Sequence, residues 1–94
     1  MGVLSIQHSF TADGESKPYN VPVSGNYMFY ATGTGTFGGG CLSLEASPDG
    51  GANWFTVEKL AAPGRLIRYL VSGETVRLRL CDSTTPNITA GIRQ

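Results

Sequence analysis

The side chains that could carry chemistry are few. The 94-residue chain has one histidine, two cysteines and seven carboxylates. A histidine acting as a general base needs a pKa near the working pH and a partner that orients it. His8 lies in the alternating run Leu4, Ile6, His8, Phe10, which puts it on the inward face of a strand as a packing residue. Cys41 and Cys81 are 40 residues apart, which fits neither a CxxC redox motif nor a zinc-ligand spacing. A disulfide across neighbouring strands is geometrically possible. Two reduced residues packed on a sheet are the expected state. Two cysteines and one histidine are too few for a closed zinc site built from those ligands. Asp13, Glu15, Glu45, Asp49, Glu58, Glu74 and Asp82 are scattered through turns and polar strand faces, where solvation accounts for them. The sequence predicts no enzyme, no catalytic residue, no metal site and no cofactor.

Three short motifs match functional patterns but lack the context those functions need. Gly33-Thr34-Gly35-Thr36-Phe37-Gly38 has G-x-G-x-x-G spacing. That fingerprint holds a pyrophosphate only where it opens a helix, and here a strand follows. Asp49-Gly50-Gly51 lacks the spaced carboxylates of a calcium loop and reads as a hairpin turn. Asn87-Ile88-Thr89 fits a glycosylation acceptor. The start Met1-Gly2-Val3-Leu4 has no basic region or long apolar run of a signal peptide, so cytosolic synthesis is expected and the match is read as chance.

Arginines and aromatics carry the stronger signal. Arg65, Arg68, Arg77 and Arg79 lie in two strands joined by a tight turn. If those strands pair, Arg77 and Arg79 project from one face and Arg68 joins them. Arginine is the preferred interface cation, so the set reads as a docking surface for an acidic partner or as a solvated face. Tyr27, Phe29, Tyr30, Phe37, Trp54 and Phe55 supply aromatic surface. Neighbours in a strand point to opposite faces, so Phe29 and Tyr30, like Trp54 and Phe55, cannot share one core layer. Some aromatic surface must point away from the core, which favours docking or self-association. Arg68, Arg77, Arg79, Tyr30, Phe37 and Phe55 are the expected interface residues.

The elements that position these residues are strands. Period-two alternation runs through the chain, broken by Gly, Pro, Asn and Asp. Expected strands cover Leu4 to Phe10, Tyr19 to Val23, Tyr27 to Ala31, Cys41 to Ser47, Trp54 to Glu58, Leu66 to Val71, Val76 to Leu80 and Ile88 to Ile92. Pro48-Asp49-Gly50-Gly51 joins two of them as a hairpin, with glycine supplying positive φ. Thr32 to Gly40 reads as a flexible or bulged loop. Leu42, Leu44 and Ala46 face inward, with Ser43, Glu45 and Ser47 on the other face. The sequence thus predicts an all-β domain of about eight short antiparallel strands, a small β-sandwich or jelly roll. One domain covers 1–94. Within it, 1–23 is an extended N-terminal arm or an edge strand, because Pro18 and Pro22 keep it out of a sheet centre.

Seven Lys+Arg against seven Asp+Glu leaves no basic footprint for a nucleic-acid partner. No apolar run reaches the roughly 18 residues of a membrane span. At this length folding buries only about 60–65% of the chain's surface, so the core is thin and a partner would help.

One segment has a family likeness. Leu42-Ser43-Leu44-Glu45-Ala46-Ser47-Pro48-Asp49-Gly50-Gly51-Ala52-Asn53-Trp54-Phe55 resembles the L-x-A-S-x-D-G-x-x-W hairpin of small tailed-bacteriophage virion proteins. The Gly/Thr-rich stretch from Ala31 to Gly40 and the Ser72 to Leu80 pattern are similar too. The likeness covers roughly half the chain, and the hairpin also suits carbohydrate-binding sandwiches. It implies a capsid decoration or cement protein, a virion component on the capsid exterior. The implied partners are the major capsid protein and further copies of the chain, a homotrimer before a homodimer. A receptor- or carbohydrate-binding module of a tail or head fibre is the alternative.

Overall fold

Nine strands form in the computed structural model, which describes residues 5–32 and 37–94. They are β1 (Ser5–Phe10), β2 (Gly14–Glu15), β3 (Tyr19–Asn20), β4 (Gly25–Thr32), β5 (Cys41–Ser47), β6 (Phe55–Leu60), β7 (Gly64–Leu70), β8 (Thr75–Cys81) and β9 (Ile88–Arg93). Sheet A has the order β1-β9-β4-β7, and sheet B the order β2-β8-β5-β6 with β3 also pairing β8. Every pairing is antiparallel. The fold is the all-β sandwich expected from the alternation. The added strand is Gly14–Glu15, two residues too short to leave an alternation pattern.

The two sheets close on one apolar layer. Ile6, Phe10, Tyr27, Phe29, Ile88 and Ile92 come from sheet A, and Leu42, Leu44, Val76, Leu78 and Leu80 from sheet B; all are buried. The buried Tyr27 phenol donates to the Val23 carbonyl at 2.5 Å, which satisfies the one polar atom of that ring. Phe37 is also in this core, at 5% exposure. It was expected at an interface; the core claims it instead, because the Gly38 to Gly40 turn folds it back. The Gly40 amide donates to the Phe37 carbonyl, and the Thr84 amide to the Gly38 carbonyl. The preceding residues 33–36, four of the nine in the expected loop and four of the six in the G-x-G-x-x-G match, lie outside the described residues.

One placement corrects the sequence reading. Strands β7 and β8 do not pair: β7 lies on β4 in sheet A, and β8 lies between β5 and the short β2 and β3 in sheet B. The turn between them crosses from one sheet to the other. Its geometry is set by Gly73 at φ 95° and by the Glu74 side chain, which accepts from the Val71 amide. Arg68 is therefore parted from Arg77 and Arg79. The N-terminal strands lie at sheet edges: β1 runs along β9 at one edge of sheet A, while β2 and β3 run along β8 at one edge of sheet B. His8, beside Phe10 on the inward side of β1, makes an edge-on ring contact with it, centroids 4.5 Å apart.

The β5–β6 hairpin forms where the Pro-Asp-Gly-Gly run placed it. Gly50 (φ 77°) and Gly51 (φ 105°) take the left-handed conformations of the turn. The Asp49 carboxylate accepts from the Ser47 hydroxyl (2.6 Å), the Asn53 amide (2.9 Å) and the Asn53 side chain (2.6 Å). Those donors, Ser47 first, hold its pKa down to about 2.

Candidate functional site

A two-sheet sandwich has two outer faces, and strand parity decides what each displays. On sheet B, Cys41, Ser43, Glu45 and Ser47 of β5 oppose Cys81, Arg79, Arg77 and Thr75 of β8. Arg77 is the hub. Its Nε donates to Glu45 Oε1 at 2.7 Å, a terminal nitrogen reaches Glu15 at 3.2 Å, and the guanidinium lies 4.0 Å from the centre of the Trp54 ring. Arg79 adds a longer contact to Glu45, 3.8 Å. Glu45 is buried to 7% exposure by these neighbours, although it points away from the core. Hence β5 is covered on both faces, and Ser43, Glu45 and Ser47 are buried rather than solvated. Arg77 and Arg79 do share a face, as expected. Arg77 is spent on contacts within the chain, and Trp54 is its half-buried platform rather than a core residue. Cys41 and Cys81 sit opposite each other here as free thiols.

Sheet A turns a different surface outward. Asn26, Met28, Tyr30 and Thr32 of β4 lie between Tyr69, Ile67 and Arg65 of β7 on one side and Arg93, Gly91 and Thr89 of β9 on the other. Ile67 and Tyr69 are each 62% exposed. Ser9, Thr89 and Thr32 make a hydroxyl row at one end. Tyr30, half-buried, lies against Gly91: a side-chain carbon at that position would collide with the Tyr30 ring and approach the Ile6 carbonyl to 2.5 Å. Glycine is thus what lets the tyrosine lie flat on the sheet. Beside it runs a shallow groove of about 420 Å³ lined by Met28, Tyr30, Ala31, Thr32, Gly64, Arg65 and Arg93.

The charges differ as sharply as the shapes. Among the described residues, no Asp or Glu side chain belongs to the outer face of sheet A. Among the described residues, neither Arg65 nor Arg93 has an ion-pair partner. The acids are engaged elsewhere: Glu15 and Glu45 on Arg77, Glu58 on Arg68, Asp13 on Ser83, Asp49 in its hairpin and Glu74 in its turn. Arg68 points inward at the β7 edge. It pairs with Glu58 of β6 and donates to the Ile67 carbonyl at 2.8 Å, closing the open side of the sandwich. An inward charge of this kind blunts a free strand edge. The Lys59 amide and then Arg68 hold the Glu58 carboxylate below its usual range.

Of the expected interface residues, Tyr30 stands on sheet A's outer face, and Arg77 and Arg79 lie on sheet B. Arg68 is at the β6–β7 edge and Phe37 in the core. Phe55, 61% exposed, begins β6. Sequence reading did not pick out Met28, Ile67, Tyr69 and Arg93. The odd positions Arg65, Ile67 and Tyr69 form one face of β7. The even positions Leu66 and Leu70 are equally apolar, so the pattern did not say which face was buried.

No cluster of three or more His, Cys, Asp or Glu residues able to hold a metal occurs among the described residues. No protein-family model matches the chain, and no curated protein matches it.

Proposed function

We propose that this protein is a non-enzymatic structural component of a tailed-bacteriophage virion, a cement or decoration protein that binds and stabilises the capsid shell. The observation that carries this reading is the outer face of sheet A: apolar, free of carboxylates and bearing two unpaired arginines. Such a face costs solubility in a free chain and gains on burial against another protein. The likeness of the Leu42 to Phe55 hairpin to phage virion proteins supplies the setting. Its partners are the major capsid protein and its own copies, as a homotrimer before a homodimer, because three-fold sites recur on icosahedral shells. A shell-stabilising protein needs a stiff fold and anchors, not reactive groups.

The groove beside Tyr30 supports one other reading, a receptor- or carbohydrate-binding module of a tail or head fibre, since an aromatic ring with polar neighbours is how sugars are held. Mixing the purified protein with heads that lack it separates the two. Saturable binding at an integral number per capsomer, with heads made more resistant to heat or low salt, is the expected result. Absence of binding to heads, with binding in a glycan screen, overturns the cement role in favour of the fibre module.

A further inference from the structure

We propose that the Arg65–Arg93 groove on sheet A takes an extended, carboxylate-bearing segment of a partner protein, its acidic side chains on the two arginines and its apolar ones on Met28, Ile67 and Tyr69. This deepens the capsid-binding reading and rests on it for the identity of the partner, not for the chemistry.

The chain is neutral overall, with seven cations of Lys and Arg against seven anions. Six of the seven carboxylates are held by contacts within the chain, which leaves Asp82. Among the described residues Arg65 and Arg93, like Lys17 and Lys59, have no ion-pair partner, and the two arginines alone share one sheet face. They stand on strands either side of β4: Arg65 opposite Tyr30 and Arg93 opposite Met28. Two strand spacings across and two residues along β4 separate them, roughly 12 Å, a gap that two arginine side chains leaning inward can bridge onto neighbouring carboxylates. Arginine binds carboxylate through paired, charge-assisted hydrogen bonds.

Other occupants fit less well. A second copy offers the same cationic face, and Asp82 is its one carboxylate outside the contacts named above. The alternation of arginine with Ile67 and Tyr69 along β7 calls for a ligand with both carboxylates and apolar side chains. A peptide has both, whereas an acidic polysaccharide has only the first.

The test uses a fluorescent, end-blocked octapeptide of the repeat Val-Val-Glu-Glu, which puts both residue types on each face of an extended chain, with the Val-Val-Lys-Lys peptide and an oligogalacturonate as comparisons. Binding is read by fluorescence anisotropy and mapped by amide chemical shifts. The glutamate peptide is expected to bind with shifts on β4, β7 and β9, and the lysine peptide not to bind. Arg65→Gln and Arg93→Gln should each weaken binding roughly tenfold, the value of one charged hydrogen-bonding partner, and Arg79→Gln on the opposite face should leave it unchanged. Both groove arginines are exposed, so the variants are expected to fold, which the amide spectrum checks. No binding of the glutamate peptide, equal binding of the lysine peptide, tighter binding of the oligogalacturonate, or indifference to both substitutions overturns the proposal. Binding to heads that survives Arg65→Gln with Arg93→Gln overturns the groove and leaves the cement role standing. Peptide binding without head binding does the reverse.

Discussion

The two outer faces of this sandwich solve the same problem in opposite ways. On sheet B, polar residues that point away from the core are nevertheless buried, because Arg77 gathers Glu45, Glu15 and Trp54 around itself. On sheet A, Ile67 and Tyr69 stay uncovered, Met28 and Tyr30 are only half-buried, and Arg65 and Arg93 have no ion-pair partner among the described residues. One face is finished by the chain itself, and the other is left for something else to finish. Neutral composition hides this: equal numbers of acids and bases do not mean equal numbers on each surface.

The largest effect should come from breaking the finished face. Arg77→Ala removes the partner of a nearly buried carboxylate and uncovers Trp54. Stranding one member of such a pair costs several kcal/mol when fully buried. Because Arg77 keeps some exposure, a loss of about 2–3 kcal/mol is expected. Arg65→Ala on sheet A should change stability by less than about 0.5 kcal/mol, the usual range for a surface site without partners. Urea unfolding of the two variants side by side measures the difference. Similar losses for both would erase the distinction between the faces.

Gly91 comes next. Gly91→Ala forces a methyl group into the Tyr30 ring and toward the Ile6 carbonyl, where neither β1 nor β9 can yield without losing register. Overpacking of this kind costs about 1–3 kcal/mol. Combining it with Tyr30→Ala should restore part of the loss, because the ring clash disappears while the carbonyl contact remains. A double-mutant cycle showing no coupling between the two positions would mean that Tyr30 does not lie over Gly91.

These contacts also explain what was legible beforehand. Alternation with Gly and Pro punctuation was enough for the class, the strand positions and the β5–β6 hairpin, since each depends on local sequence. The pairing of β7 was not legible, because a turn such as Ser72-Gly73-Glu74 serves a hairpin or a crossing between sheets equally well. Arg68 was consequently grouped with Arg77 and Arg79, although the sandwich puts it at the opposite edge. Phe37 was misplaced for a related reason: the Gly38 to Gly40 turn that sends it inward is held by Thr84, far away in sequence. The groove depends on which face of β7 the core claims, each face carrying one arginine beside large apolar side chains, and that is settled only by the sheet above it.

Acid should act on the two faces unequally. Asp49 titrates at about 2 in the folded chain against an ordinary 3.8, and Ser83 and Lys59 donors hold Asp13 and Glu58 below their usual ranges as well. A carboxylate with a depressed pKa adds stability above its unfolded pKa and loses it as the pH falls through the folded one. The melting temperature should therefore drop between about pH 4 and pH 2, and Asp49→Asn should flatten that drop while lowering stability near neutrality. All three groups lie away from the sheet A face, which carries arginines alone and keeps its charge throughout. A melting temperature flat across this range would show that the hairpin and edge contacts of these carboxylates contribute nothing to folding.

The smallest effect on stability should accompany the largest on assembly. Ile67→Ser removes a side chain that is already 62% exposed and points away from the core, so its unfolding midpoint should stay within about 0.5 kcal/mol of the parent. The same change takes an apolar anchor from the middle of the unfinished face, between Arg65 and Tyr69 on β7. If that face is where a capsid surface is buried, the variant should fold normally and load poorly onto heads, and added salt should weaken the parent's loading by screening Arg65 and Arg93. A variant that loads as well as the parent, with loading indifferent to salt, would place the docking surface elsewhere, and the exposed Phe55 end of β6 would be the next region to substitute.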